Sequence, residues 1–314
     1  MLIYAFRRLG LAMLILVTSI TLLFGALKLI PGDPATIMLG ARATPELKAA
    51  ISEELGLDDP VPVQIVHFFG RLLQGDLGTD LWTKRPVADL VLEGLPHTLA
   101  LIGAALVWAA LIGIPLGCYA AVQKGTLIDT ITGLVSVGTI AIPPFVVALY
   151  LILVFSVTLG WLPFIGAGAQ GDLADQALHL ILPALALGLG WVGYLARIVR
   201  ASMLEVMAAP HIRTARAYGL PERRIIGKYA LRIAILPVVT LLAMAVGGLL
   251  SGAVLIEAIF ARPGIGKLIV DAAEIRNFPV VRGGVLATVA LFVVAMPVAD
   301  LIVAWLDPRV RKTL

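Results

Sequence analysis

Arg213-Thr214-Ala215-Arg216-Ala217-Tyr218-Gly219-Leu220, followed by Glu222-Arg223-Arg224, lies midway along a basic segment at residues 197–232. Apolar runs flank that segment, 179–198 before it and 235–260 after it. Lys and Arg collect in the cytoplasmic loops of membrane proteins, so a basic stretch strung between two apolar runs predicts such a loop.

The rest of the chain agrees. Sixty percent of its 314 residues are apolar and 14% are charged, and mean hydropathy is +1.00. Soluble domains carry about 25% charged residues. A helix needs roughly 20 apolar residues to cross about 30 Å of hydrocarbon. Six runs meet that requirement, at about 9–29, 98–122, 131–159, 179–198, 235–260 and 285–305. None has the polar face that a helix of a soluble bundle presents to water. The expected fold is all-α, a polytopic membrane protein with six transmembrane helices.

The net charge of +4 does not point to nucleic acid, because the cations follow topology. With the N-terminus in the cytoplasm, Arg7, Arg8, Lys124, Arg309, Arg311, Lys312 and the eight cations of 197–232 fall on one side. Residues 160–178, on the other side, hold no Lys or Arg. Arg262, Lys267, Arg276 and Arg282 are the exceptions. Both termini are therefore expected in the cytoplasm. The first apolar run exceeds the roughly 7–15 residues of a signal-peptide core and lacks a small-x-small site before Pro31, so it is expected to be a retained helix. Cys118 has no partner in the sequence and is expected to be a small core residue.

Three regions follow: a first helix at 1–30, an external region at 31–94, and five further helices at 95–308 with the cytoplasmic loop at about 199–233. Residues 31–97 carry ten acids against five bases. Thr44-Pro45-Glu46-Leu47 marks a helix start. A loop of this length suits the docking of an external partner. Gly113 with Gly117, and Gly248 with Gly252, have the spacing that lets helices approach, either within the bundle or at a subunit interface. Pro143-Pro144 interrupts the third run. With Phe145 these prolines are candidates for a substrate path, though kinks also occur in ordinary membrane helices.

Several chemistries find no support. Gly264-Ile265-Gly266-Lys267-Leu268 lacks the hydroxyl that completes a phosphate loop. His67, His97, His179 and His211 are scattered, with no metal-ligand spacing. Lys28, Glu257 and Asp300 lie within two turns of run ends, where long side chains can reach the interface, so no proton relay is expected. Neither a Ser-His pair nor paired aspartates stand at membrane depth, which argues against an intramembrane protease. No catalytic and no metal-binding residues are assigned.

Residues 197–232 resemble the coupling loop of permease subunits in ABC importers, in which a helix-turn-helix seats on a cytoplasmic ATPase and a glycine, here Gly219, turns the chain. The match is narrower to the dipeptide, oligopeptide and nickel branch. Pro31-Gly32-Asp33-Pro34, Leu55-Gly56-Leu57-Asp58, Gly75-Asp76-Leu77-Gly78, Arg85-Pro86-Val87, Phe260-Ala261-Arg262-Pro263-Gly264-Ile265-Gly266, Asn277-Phe278-Pro279 and Leu306-Asp307-Pro308-Arg309 continue it in order. Their order and the long external region resemble the B-type subunit. Pro210-His211, Tyr218, Pro221, Tyr229 and Ile233 depart from the branch's usual residues.

The resemblance implies a type I importer permease fold in a bacterial or archaeal cytoplasmic (inner) membrane. Its implied partners are a paralogous C-type permease, two ABC ATPase subunits, an extracytoplasmic substrate-binding protein and the lipid bilayer. ATP and Mg would be held by the ATPases and no cofactor by this chain. The implied cargo is a di- or oligopeptide, with nickel or another non-peptide or glutathione-like solute as the alternative. A stand-alone channel or membrane enzyme is the rival of a different class. The implied ATPase-contacting residues are Glu205, Arg213, Thr214, Ala215, Arg216, Ala217, Gly219, Leu220, Glu222, Arg223 and Arg224.

Overall fold

A computed structural model describes residues 2–29, 44 and 59–306. The helix expected from Pro45 and the motif residues 31–34, 55–58 and 307–309 lie outside the described residues. Among those described, the regular elements are helices, with one isolated bridge between Thr79 and Pro86.

In chain order the helices are α1 (Leu2–Leu29), α2 (Val61–Leu72), α3 (Val87–Val122), α4 (Leu127–Ala141) and α5 (Pro144–Leu151). Helix α5 continues as a π-helix, Ile152–Thr158. Then follow α6 (Leu173–Met207), α7 (Pro210–Ala217), the short α8 (Glu222–Arg224), a second π-helix (Ile225–Ala230), α9 (Leu231–Ala234), α10 (Leu236–Ile259), α11 (Ile265–Glu274) and α12 (Phe278–Leu306). Five of these are long and apolar enough to cross a membrane, or six if α4 and α5 together make one span. The run expected at 131–159 is thus not one straight helix. It bends by 99° at Ile142-Pro143, where the proline pair removes backbone donors and the chain passes through an extended residue.

The chain forms two compact units, Met1–Thr98 with Pro263–Val293 and Leu99–Arg262 with Val294–Leu314. In the first, Ile20 and Phe24 of α1, Phe68 of α2 and Leu286 of α12 form one buried cluster, with Phe24 and Phe68 edge to face at 5.8 Å. Val87 and Val91 of α3, Ile265 and Ala272 of α11, and Val280 and Val281 of α12 form another. Gly283 brings α12 onto Val87, where a Cβ would lie 2.4 Å from the valine Cγ1.

The second unit is organised around α6, whose glycines and alanines form its contact faces. A Cβ on Gly113 or Gly117 of α3 would meet the carbonyl oxygens of Val192 and Ala196 at 2.8 and 2.3 Å. That glycine pair therefore serves packing within the bundle. On α6 itself, a Cβ on Gly193 would come within 2.6 Å of the Ser136 carbonyl oxygen of α4. Such close backbone approach is how helices without a hydrophobic driving force gain dispersion contact.

Candidate functional site

Helix α6 carries Arg197, Arg200 and Glu205 past the end of its apolar section before stopping at Met207. Ala208 and Ala209 turn the chain, and Pro210, which needs no amide donor, opens α7. The end of α7 is a Schellman motif. The Gly219 amide donates to the Arg216 carbonyl at 2.9 Å and the Leu220 amide to that of Ala215 at 3.2 Å. Gly219 has φ +71° and nothing within 4 Å of a built Cβ, so backbone conformation rather than space demands glycine there.

Across the turn Arg216 Nε donates to Glu222 Oε1 at 2.6 Å. That bond holds the Glu222 carboxyl below the ordinary glutamate range and raises the Arg216 guanidinium. Beyond α8, the π-helix resets the buried face. Ile225, Ala230, Ala234 and Val238 are all fully buried, a spacing of five and then four. A continuous α-helix would have buried Tyr229 in place of Ala230; instead Tyr229 stays exposed.

Of the eleven residues expected to meet an ATPase, nine face outward: Glu205, Arg213, Thr214, Arg216, Ala217, Gly219, Glu222, Arg223 and Arg224. The other two point in. Ala215 is buried and Leu220 half-buried, and with Ile212 they seat α7 on the core formed by Leu195, Val199 and Met203. They hold the loop's shape and contribute little of its surface. The result is a rigid helix-turn-helix with four exposed arginines and Tyr218 83% exposed at its tip.

Above the loop along α6 lies an apolar cavity of about 450 Å³. Its walls come from the α4–α5 break (Ile140, Ile142, Pro144), from α6 (Leu187, Gly190, Trp191, Tyr194) and from α10 (Leu241, Met244, Gly248). Of the three candidate path residues only Pro144 lines it; Pro143 and Phe145 do not. Trp191 and Tyr194 stand edge to face at 5.6 Å, and the Arg197 guanidinium lies 5.9 Å from the Tyr194 ring. Sequence reasoning missed Trp191, Tyr194 and Met244. The nearest signal was the proline pair.

Glu257 does not reach an interface, as its place near the end of α10 suggested. It is fully buried, and the Arg262 amide donates to its carbonyl at 2.8 Å. Burial pulls the Arg262 guanidinium below its usual range while the charge of Glu257 acts the other way. In the other unit Lys267 pairs with Asp271, and Arg282 lies 4.0 Å over the Phe24 ring. Two of the four cations that break the charge bias, Lys267 and Arg282, thus have internal partners, and Arg262 is buried within the field of Glu257. Among the described residues no three His, Cys, Asp or Glu side chains gather as metal ligands.

The family model described as "Binding-protein-dependent transport system inner membrane component" matches residues 113–312, and the model for the N-terminal part of such components matches residues 1–102. The chain belongs to this family and is a permease subunit of an ABC importer. It is 36% identical over 312 residues to the glutathione transport system permease protein GsiC of Escherichia coli (strain K12), covering 99% of each chain. It is 38% identical over 333 residues to the di/tripeptide transport system permease protein DppB of Pseudomonas aeruginosa (strain UCBPP-PA14), again covering 99% of each. Among solved structures, an inward-facing form of the MetNI methionine ABC transporter superposes with a TM-score of 0.56 at 20% identity, over 69% of this chain and 96% of that one. The fold is that of a type I importer permease.

Proposed function

We propose that this subunit pairs with a paralogous C-type permease to enclose a path for short peptides, glutathione included, delivered by an extracytoplasmic binding protein. Two ATPase subunits sit beneath the paired loops, and they hold the ATP and Mg; this chain binds no cofactor and hydrolyses nothing. Both termini and the 197–232 loop face the cytoplasm of a bacterial or archaeal cell, and residues 31–94 face outside. Closure of the ATPases around ATP displaces the loop and favours an outward-facing path, and hydrolysis returns it; the drive is the difference in affinity between two states.

The observation that carries this reading is the Gly219 turn, a rigid motif presenting nine outward residues of the coupling pattern. Peptide cargo is supported by the two relatives, whose named substrates are both peptides. The apolar, aromatic cavity suits peptide side chains better than a hydrated metal ion.

The test is uptake of labelled dipeptide, glutathione and radioactive nickel in cells with and without the gene. Loss of dipeptide or glutathione uptake is expected; loss of nickel uptake alone overturns the cargo. In the same assay Gly219→Val should abolish uptake with membrane insertion intact, because a β-branched residue is a poor occupant of φ +71° and the turn must open. Normal uptake by that variant sinks the loop's assignment.

A further inference from the structure

Arg200, one of the eight cations of 197–232, commits its side chain to a carboxylate 71 residues away. Its Nη2 donates to Asp129 Oδ2 at 2.7 Å and its Nε to Asp129 Oδ1, a two-pronged contact between α6 and the first turn of α4. The Asp129 side chain is 9% exposed. The Gly125 amide donates to the same carboxylate at 3.0 Å, and Gly125, at φ +79°, shapes the turn that makes this possible. The planar fork fixes orientation as well as distance.

About 10 Å further along α4, at a helical rise of about 1.5 Å per residue, comes a second attachment. There Gly193 of α6 lies directly on Ser136 and Thr139. The clamp thus adds a fixed orientation at the first turn of α4 to the packing of its later turns on α6. The two helices so joined end in different functional features. Helix α6 runs unbroken from the cavity residues Gly190, Trp191 and Tyr194 through Arg200 into the turn before α7. Helix α4 ends at Ala141, and Ile140 and Ile142 at that end line the same cavity.

We infer that Asp129 and Arg200 are positioning residues for transport: their clamp makes α4 and α6 one lever, so that displacement of the coupling loop moves the wall of the cavity formed by Ile140, Ile142 and Pro144. This rests on the importer reading above. Without the clamp the first turn of α4 is held to α6 by packing alone, ATP hydrolysis continues, and the wall no longer follows.

The experiment uses the complete transporter in proteoliposomes, with ATP hydrolysis and peptide uptake measured together. In Asp129→Asn, uptake per ATP hydrolysed should fall about tenfold while hydrolysis and the amount of assembled complex stay near wild type. Arg200→Lys, which keeps the charge and loses the fork, should fall between. The exchange D129R with R200D should recover part of the ratio. An unchanged ratio in Asp129→Asn overturns the proposal, and so does a loss of uptake matched by loss of complex, which marks a merely structural bond. A second readout does not depend on cargo: with Cys118 replaced and a cysteine at Ile142, maleimide labelling should change with ATP in the parent and stay constant once Asp129→Asn is added. If the parent imports no peptide but its labelling responds to ATP and Asp129→Asn abolishes that response, the cargo reading fails and the clamp stands. An identical response in both proteins removes the clamp.

Discussion

Among the described residues, each compact unit of this permease buries one aspartate that joins distant parts of the chain, and the two are satisfied by different chemistry. Asp80, 7% exposed, accepts from the Thr83 hydroxyl, the Trp82 amide and the Asn277 side chain, all neutral. Asp129, 8% exposed, accepts from a guanidinium. Neutral donors close at hand fix a loop: residues 76–86 fold on themselves through the Asp76 carboxylate, the Thr79–Pro86 bridge and Lys84 at φ +59°, and Asn277 ties that fold to the turn before α12. A guanidinium on a long side chain instead joins two helices and gains strength from charge. The Asp80 knot holds loops in place; the Asp129 clamp holds helices together.

The most disruptive way to break this contrast is Asn277→Asp. It sets a second carboxylate against Asp80 where the nearby cation, Arg85, is already paired with Glu93, so one of the two must take up a proton or both must repel. The loss in stability at pH 7.5 should exceed the ~1–3 kcal/mol of a lost buried hydrogen bond, and it should shrink toward pH 5 as that proton is supplied. Thermal melts of detergent-solubilised protein at the two pH values check this. An equal loss at both values means the site is not sealed from compensating charge.

A smaller effect comes from the wild-type carboxylate. Burial raises the Asp80 pKa, but the hydrogen bonds from Thr83, Trp82 and Asn277 outweigh it and leave it lowered. A lowered folded-state pKa gives stability that is present above the unfolded value of about 3.9 and disappears as pH falls through the folded value. The stability difference between wild type and Asp80→Asn should therefore be constant from pH 7 to about pH 5 and should narrow below about pH 4. A difference that narrows already between pH 7 and 6 would mean that a histidine, not Asp80, governs the knot.

Neither aspartate's partner was legible in the sequence, though much around them was. The spans were legible because apolar length alone decides whether a helix can cross hydrocarbon. The break at Pro143-Pro144 was legible because proline removes a donor, but its 99° direction was not, since packing against α6 sets that angle. Gly113 and Gly117 announced a close approach by their spacing. Gly193 did not, because the positions four residues away, Leu189 and Arg197, are not small and so give it no paired spacing. Arg200 and Asp129 are separated by 71 residues, and each taken alone fits a commonplace: a cytoplasmic cation, a helix-start acid. Asn277 and Asp80, 197 apart, sit inside or beside stretches that resemble the family, yet resemblance marks positions and not pairings. The inward turn of Ala215 and Leu220 follows from the Schellman geometry that Gly219 predicts, and could have been drawn from it.

The smallest effect sharpens the contrast from the exposed side. Arg216 and Glu222 form an ion pair in the coupling loop at 2.6 Å, but their side chains are 41% and 55% exposed. Water and salt screen such a pair, and holding two long side chains in one geometry costs entropy, so exposed pairs contribute little. The turn they straddle is already closed by the Gly219 and Leu220 amide bonds and by the burial of Ala215. Glu222→Gln should leave the melting temperature unchanged within error, and any loss of uptake, arising from its outward place on the coupling surface, should stay well below that of Asp129→Asn. The control is Asp129→Asn measured in the same proteoliposomes, whose uptake per ATP should fall much further. Should Glu222→Gln instead lose as much coupling as Asp129→Asn, the mechanical link would lie in the loop's own surface pair. The buried clamp would then rank with the Asp80 knot, as a bond that only holds the fold together.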